Sequence, residues 1–500
     1  MTISPAAPAP DYSRKWLVLI AVGMGTFLTT IDSTIVTVAL PTLVGQLQTD
    51  FPTIQWVTLS YLLTLTVLLL SMGRLGDIVG KKRPYLTGMA VFGVASALCG
   101  LASDVRMLIG FRVVQAVSAA MMQALGMAII TEAFPPTERG RALGISGLLV
   151  SAGILTGPVL GGILIDQVGW RIIFYVNVPV TAIGLLMVSR HVRPGERRPG
   201  QRFDLVGAAA LGVSLGALMI ALTLGQNWGW GDGRTLALFG VFAVFFAAFI
   251  LIELRVQQPM VDLTLFRNPQ FAISLTMAVV IFITAASRII IPFFLELGVG
   301  VRVTDIGLIL AVWPISMALM APAAGWLSDR IGSMKISLVG LVVSLGGYWL
   351  LATFVRPDLS PALFALLSAP TGLGIGLFQA PNNSAVMGSV PRERLGLAGS
   401  FLALTRNMGQ LVGIAAIGAL WASRTLANLP PELAGTITDA SAAPPAAIAA
   451  GTAETFLVLA GVTGLLVLLG VWGVRIENRQ RAVRAAALPG AEIGSANARR

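Results

Sequence analysis

The chain is short of charge, histidine and cysteine, and each shortage excludes a class of function. Charged residues make up 11% of its 500 positions, against roughly 25% in an ordinary soluble domain, so a water-soluble globule is excluded. His191 is the only histidine and sits in a basic stretch, which leaves no histidine metal cage and no histidine-based triad. Cys99 stands alone, so an intrachain disulfide and a thiolate zinc cluster are excluded too. No Gly-x-x-x-x-Gly-Lys-Ser/Thr loop occurs, so ATP is not expected as the energy source. With no nucleophile–base pair and almost no soluble segment, an enzyme is not expected, nor is a metal or cofactor. An ion gradient is the remaining energy source, and a proton gradient is the economical choice for a chain with few buried acids.

What is abundant is apolar sequence. Hydrophobic residues make up 56% of the chain, gathered into fourteen runs of about the 20 residues that span a bilayer. Backbone polar groups in lipid need partners within their own segment, so these runs must be helices. The expected fold class is therefore all-α and polytopic. The first run begins at residue 16 and is about 28 residues long, a membrane span and not a signal-peptide core. The net charge of +11 does not point to nucleic acid, because the basic residues are confined to alternate loops. With the N-terminus inside, inner segments hold 25 of the 34 Lys and Arg, outer loops six, and the spans three. That bias predicts a multi-pass protein of the cytoplasmic membrane with both termini cytoplasmic and lipid as its surroundings.

The polar loop between spans two and three reads Gly73-Arg-Leu-Gly-Asp77-Ile-Val-Gly80-Lys-Lys-Arg83. Gly73, Leu75, Asp77, Gly80 and Arg83 recur 252 positions later as Gly325, Leu327, Asp329, Gly332 and Lys335. Pro136-Thr-Glu138-Arg139 after span four likewise matches Pro391-Arg-Glu393-Arg394 after span twelve. The chain therefore divides into a cytoplasmic tail (1–15), a first six-helix bundle (16–190), a basic linker (191–204) and an inserted helix pair (205–254). A second linker (255–270), a second six-helix bundle (271–474) and a basic tail (475–500) complete it. Within the second bundle, 426–453 reads as a long, mobile outer loop, and the tail reads as frayed. Repeated bundles in one membrane chain point to a transporter with its substrate held between the halves.

The polar residues inside spans are the candidate site. Asp32 lies about 24 Å along its helix from Trp16 at 1.5 Å per residue. A carboxylate so deep is costly, which points to an ion pathway or a bound cation; the alternative is a structural partner for Arg112. Arg112 enters span four from the outer side, either to meet Asp32 or to snorkel to the headgroups. Gly153, Gly157 and Gly161 form one bare stripe on span five, and Pro158 frees a carbonyl, a device for close helix approach and bending that seals the halves. Asp77 is read as a latch of the cytoplasmic side, accepting from a helix N-terminus or pairing with Arg83 or Arg139; positive-inside anchoring alone accounts for the lysines but not for the acid. Arg288 lies deep in span nine, four residues before Pro292. Glu296, at the end of that span, is either a second cation or proton contact or, with more weight, a carboxylate facing outside water. Arg406, with Asn407 and Gln410, reads as a tie between helices. Gln115, Tyr61 and Asn382 are further polar cavity candidates, with Trp56, Trp313 and Phe378 as wall elements.

These motifs carry a family resemblance. Gly73-x-Leu75-x-Asp77-x-x-Gly80-Lys-Lys-Arg83 resembles the signature loop of the major facilitator superfamily. Gly153-x-x-x-Gly157-Pro158-x-x-Gly161-Gly162 resembles the antiporter motif of its drug exporters. With fourteen spans, with Asp32-Ser-Thr-Ile-Val-Thr-Val-Ala-Leu-Pro41 in span one and with Arg112-x-x-Gln115 in span four, the chain is similar to the drug/proton antiporter branch typified by EmrB and QacA. Ala116 stands where that branch usually has Gly, and Glu296 where it has Gln. The resemblance covers the chain to about residue 475 and implies the major facilitator fold, two six-helix bundles plus two inserted helices. It also implies proton-coupled export of amphipathic, often cationic compounds, with Asp32 coupling and Arg112 assisting proton transfer. Two alternatives stay open: a dedicated exporter of one endogenous metabolite or antibiotic, and a non-transporting receptor or scaffold. A monomer suffices for such a fold, and nothing in the sequence speaks against a further adaptor protein.

Overall fold

The computed structural model describes residues 12–135, 138–193, 205–256, 263–391 and 394–486, and every regular element among them is a helix. The first bundle comprises α1 (Lys15–Gln46), α2 (Phe51–Val79), α3 (Lys82–Gly100), α4 (Val105–Ala133), α5 (Arg139–Val168) and α6 (Ile172–His191). The pair α7 (Leu205–Trp228) and α8 (Gly233–Arg255) follows. The second bundle comprises α9 (Pro269–Val299), α10 (Val303–Ile331), α11 (Ser333–Phe354), α12 (Pro361–Gly388), α13 (Leu395–Ala427) and α14 (Pro445–Ala486). Thirteen of these are long and apolar enough to cross a membrane. The remaining one, α3, starts on Lys82 and Arg83 and is shielded by packing on α4 and α6.

Helix ends follow local chemistry. Asp50 and Asp104 accept from the backbone N–H groups of Thr53 and Met107 at 3.0 and 2.9 Å, starting α2 and α4. Asp232 starts α8 in the same way, and its hydrogen bonds from Arg234 hold its carboxyl below the usual carboxylate range. α2 and α10 end on Gly80 (φ 88°) and Gly332 (φ 120°), a backbone geometry that strains any residue with a Cβ. These two glycines are the matched positions of the sequence repeat, so the repeat is conformational as well as chemical.

Successive helices alternate in direction, so the first and last begin and end on one face, here the terminal face; the other is the far face. The two bundles meet along two seams, α2 on α13 and α5 on α10. If α2 repeats as α10, then α5 repeats as α13, and the two seams are one contact made twice. The inserted α7 lies against α2 and α13, joined by a bond of 3.2 Å from the Trp56 indole to Thr223, while α8 packs chiefly on α7. α9 is broken: helix to Ala285, a tight turn over Ala286–Ile289, then a wide turn over Phe294–Gly298, with Pro292 between them.

Two boundary expectations are corrected. The outer connection is not a long mobile loop over 426–453, because α13 continues to Ala427 and α14 starts at Pro445. Asp439 accepts from the Phe51 N–H at 3.3 Å and the Trp421 indole donates to Thr452 at 2.9 Å, which ties this segment down. Nor does α14 fray at Arg475: it runs to Ala486, and Glu477 accepts from the Ser333 and Met334 N–H groups at 3.2 and 3.1 Å. Alanine lowers hydropathy without lowering helix propensity, so a hydropathy reading clips such helices. Glu477→Ala is expected to lower the thermal midpoint in detergent by an amount equal to about 1–2 kcal/mol, the cost of losing a helix cap. An unchanged midpoint would assign α11 a different start.

Candidate functional site

Four helices converge on Asp32. α4 presents Arg112 and Gln115 one turn apart on one face, α1 brings Asp32, α6 brings Asn177, and α2 offers the Val57 carbonyl and the Tyr61 ring. Arg112 Nη1 donates to Asp32 Oδ2 at 2.6 Å, and both side chains are fully buried. Asp32 Oδ1 accepts from Gln115 Nε2 and Asn177 Nδ2, each at 2.9 Å. Arg112 Nε donates to Val57 O at 3.1 Å, Nη1 also donates to Gln115 Oε1 at 2.7 Å, and the guanidinium sits 4.1 Å from the Tyr61 ring centroid. Asn177 in turn donates to Ser96 Oγ at 3.0 Å. A buried ion pair holds only when its remaining hydrogen-bonding capacity is met; here both Asp32 oxygens are partnered, and of the Arg112 nitrogens Nη2 alone has no partner among the described residues.

Asp32, Arg112, Gln115 and Tyr61, each conspicuous in the sequence, are brought together by the structure. Asn177 and Ser96 join them without having been expected. An asparagine in the second turn of an otherwise apolar span is the available signal, whereas a serine of α3 carries no signal of its own.

Between the bundles lies a cavity with an empty volume of about 770 Å³, its open mouth included. The first bundle lines it with Ser33, Thr34, Thr37, Thr58, Tyr61, Arg112, Ile154 and Pro158, the second with Arg288, Ile289, Leu310, Pro314, Gln410 and Ile414 among others. Asp32 does not line it. Arg112 and Tyr61 stand between that acid and the cavity.

The far face above the cavity is sealed. Phe51 meets Phe293 edge to face at 4.9 Å and Trp421 at a tilt at 4.6 Å between ring centroids. Thr304 donates to Asp166 at 2.8 Å. The glycines of α5 complete the closure. Cβ atoms on Gly153, Gly157 and Gly161 would meet Thr30, Thr34 and Ile35 of α1 at 2.9, 2.0 and 2.8 Å. Gly162 faces α10 instead, where a Cβ would come within 2.6 Å of Val303 O, and one on Gly307 within 2.3 Å of Pro158 O. α5 is thus clamped between its own bundle and the other, as glycine allows. On α2, α9, α10 and α13 the cavity residues lie on the terminal side of Phe51, Phe293, Thr304 and Trp421.

Other expectations need correction. Glu296 does not face open water: it is half-buried at the seal, Thr42 donates to its Oε1 at 3.5 Å, and its Oε2 is enclosed without a partner. The wide turn of α9 rotates it toward α1 instead of outward. Asn382 is buried but off the cavity, because α12 is packed between α10 and α11, and neither of its amide atoms has a hydrogen-bond partner. Arg406 is half-buried, and no ion pair holds it among the described residues, while Gln410, one turn on, reaches the cavity. Arg288 lines the cavity with its guanidinium 4.1 Å from the Trp313 ring centroid. At the terminal face Arg83 and Asp329 are exposed, and Gly73 is helical with open space beside it. Lys81 pairs with Glu132, and Lys82 donates to Ser189 O at 2.7 Å. The side chains of Asp77 and Arg139 lie outside the described residues.

Comparison with known proteins agrees with this architecture. The family model described as Major Facilitator Superfamily matches residues 22–297 and again 273–491, one match per half. A protein named multidrug resistance protein Stp, from Mycobacterium tuberculosis, is 35% identical over 425 residues, covering 85% of this chain and 79% of its own. The riboflavin transporter RibZ of Clostridioides difficile is 33% identical, covering 83% and 90%. The tetracenomycin C resistance and export protein of Streptomyces glaucescens is 32% identical, covering 87% and 84%. Among solved structures, a bacterial homologue of the human lysosomal transporter Spinster superposes with a TM-score of 0.65 at 18% identity, covering 93% and 98%. The chain therefore belongs to the Major Facilitator Superfamily and is a multi-pass membrane transporter of small molecules, not an enzyme or a scaffold.

Proposed function

We propose that the protein is a proton-coupled antiporter that exports amphipathic compounds, cationic drugs among them, across the cytoplasmic membrane by alternating access. The observation that carries this reading is the buried Asp32–Arg112 pair, screened from a cavity between the halves by Arg112 and Tyr61. Relatives named as multidrug resistance and export proteins support it. The Lys and Arg bias puts both termini in the cytoplasm, so the sealed far face is the outer one and the conformation is inward-facing. No cofactor takes part; the proton gradient is the energy source.

The coupling follows from the pair. While ionised, Asp32 holds Arg112 against the Val57 carbonyl and the Tyr61 ring of α2. Protonation removes the charge that holds the guanidinium and loosens its hold on α2, one of the two helices at the α2–α13 seam. Proton occupancy is thereby linked to the packing of one bundle against the other, as an alternating-access antiporter requires.

Everted vesicles with an imposed pH gradient and a pH-sensitive dye test this. A panel of cationic, zwitterionic and neutral drugs should raise internal pH with the native protein. In Asp32→Asn the response should fall about 5- to 150-fold, the range of a coupling free energy between two sites. An undiminished Asp32→Asn response would remove Asp32 from the coupling. The relatives named for riboflavin and for tetracenomycin C favour a second reading, a dedicated exporter of one compound; a response to a single member of the panel selects it.

A further inference from the structure

Among the described residues the cavity walls carry two arginines, Arg112 and Arg288, and no acidic side chain. Arg112 is neutralised by Asp32 at 2.6 Å. Arg288 is not neutralised: Nε donates to the Ala285 carbonyl at 3.3 Å, and no ion pair engages it among the described residues. Its guanidinium stacks on Trp313, which orients the plane and leaves the outer edge for a ligand. The tight turn over Ala286–Ile289 places this residue at a junction. Arg288 and Leu310 also border a small gap walled by Trp313, Tyr348, Phe364 and Phe456. Arg406 stands one helical turn toward the cytoplasm from the cavity residue Gln410, on the same face of α13.

We propose that Arg288 is the subsite for an ionised acidic group of the substrate, so that aromatic carboxylates and zwitterions are exported as well as cations. This rests on the exporter reading above. A planar guanidinium with a fixed edge donates two parallel N–H bonds to a carboxylate, and the apolar walls of the large cavity beside it, Ile289, Leu310 and Ile414, take the ring system of the same molecule. Arg406 adds positive potential on the cytoplasmic approach and draws anions in. A half-buried arginine within a membrane span, without a carboxylate among the described residues, is costly to keep, which is the mark of a group held ready for a ligand.

The test uses a rhodamine with a free benzoate and its methyl ester, two compounds with one ring system, in everted vesicles carrying the full-length protein. The native protein should export both. Arg288→Gln should lower kcat/KM for the free acid about 10- to 100-fold, the worth of a charged hydrogen-bonded pair, and change the ester by no more than about twofold. Arg288→Lys should restore part of the acid's transport, which a general packing defect would not allow. Export of the ester without the acid by the native protein overturns the subsite while sparing the exporter reading. Equal loss of acid and ester in Arg288→Gln overturns it as well, since Arg288 would then be structural. Export of neither compound by the native protein overturns the exporter reading and the subsite with it.

Discussion

Replacing Arg112 with alanine is expected to destabilise the first bundle by about 3–5 kcal/mol, because an ionised Asp32 is left buried without its counter-charge. Three donors hold that carboxylate now, and only the two amides of Gln115 and Asn177 would remain. The guanidinium that links Asp32 to the Val57 carbonyl and the Tyr61 ring of α2 would also be gone, and with it the proposed route of coupling. Transport should therefore be lost even where the protein is still made and inserted. Asp32→Asn combined with Arg112→Gln separates the two effects: stability should return to within about 1–2 kcal/mol of native, since a neutral pair carries no uncompensated charge. Proton coupling should stay absent. Thermal unfolding in detergent and dye-reported transport measure the two quantities. A double variant as unstable as Arg112→Ala would mean that Arg112 acts through its packing on Tyr61 and not through its charge.

Gly307→Val is expected to have the second large effect. At Gly307 an added Cβ would lie 2.3 Å from the Pro158 carbonyl oxygen, and that neighbour is backbone. A side-chain tip can rotate away, but a helix carbonyl moves only with its helix. The α5–α10 seam must open by more than an ångström, and the closed outer face is the state that suffers. The variant should favour the outward-open arrangement and leak protons when reconstituted. We expect substrate-driven alkalinisation to fall at least about tenfold, equivalent to a shift of roughly 1.4 kcal/mol between the two states. Passive proton entry into proteoliposomes measures the leak. Gly325→Ala is the control, since its position opens on empty space, and it should behave as native. Native tightness in Gly307→Val would place the outer seal elsewhere.

What could be read in advance depended on whether a signal runs along the chain or across it. Asp32 and Arg112 were each conspicuous, because charge in an apolar run is costly wherever it faces. Their depths could be counted at 1.5 Å per residue, but whether they faced one another depended on the rotation of α1 and α4 about their own axes. Asn177 completes the carboxylate's shell from a third helix, with no spacing to announce it. Glu296 follows the same rule: its depth at the end of α9 can be counted along the chain, but only the wide turn after Pro292 turns it onto Thr42. Arg288 was visible, whereas its stacking on Trp313, 25 positions later in another helix, was not.

Composition, loop charge and repeated motifs by themselves determined an all-helical membrane protein made of two like halves. Each of those signals is carried by residues adjacent in the chain or set at a fixed helical spacing. The glycine stripe of α5 was legible as a surface for close approach for the same reason. Only the tertiary structure decided that the stripe closes on α1 while Gly162 and Pro158 close on α10. Likewise, only packing could set Asp32 behind Arg112 and leave Arg288 facing the cavity without a counter-charge. Which face of a helix meets which neighbour is settled by the sum of many weak side-chain contacts, and no single stretch of sequence contains that sum.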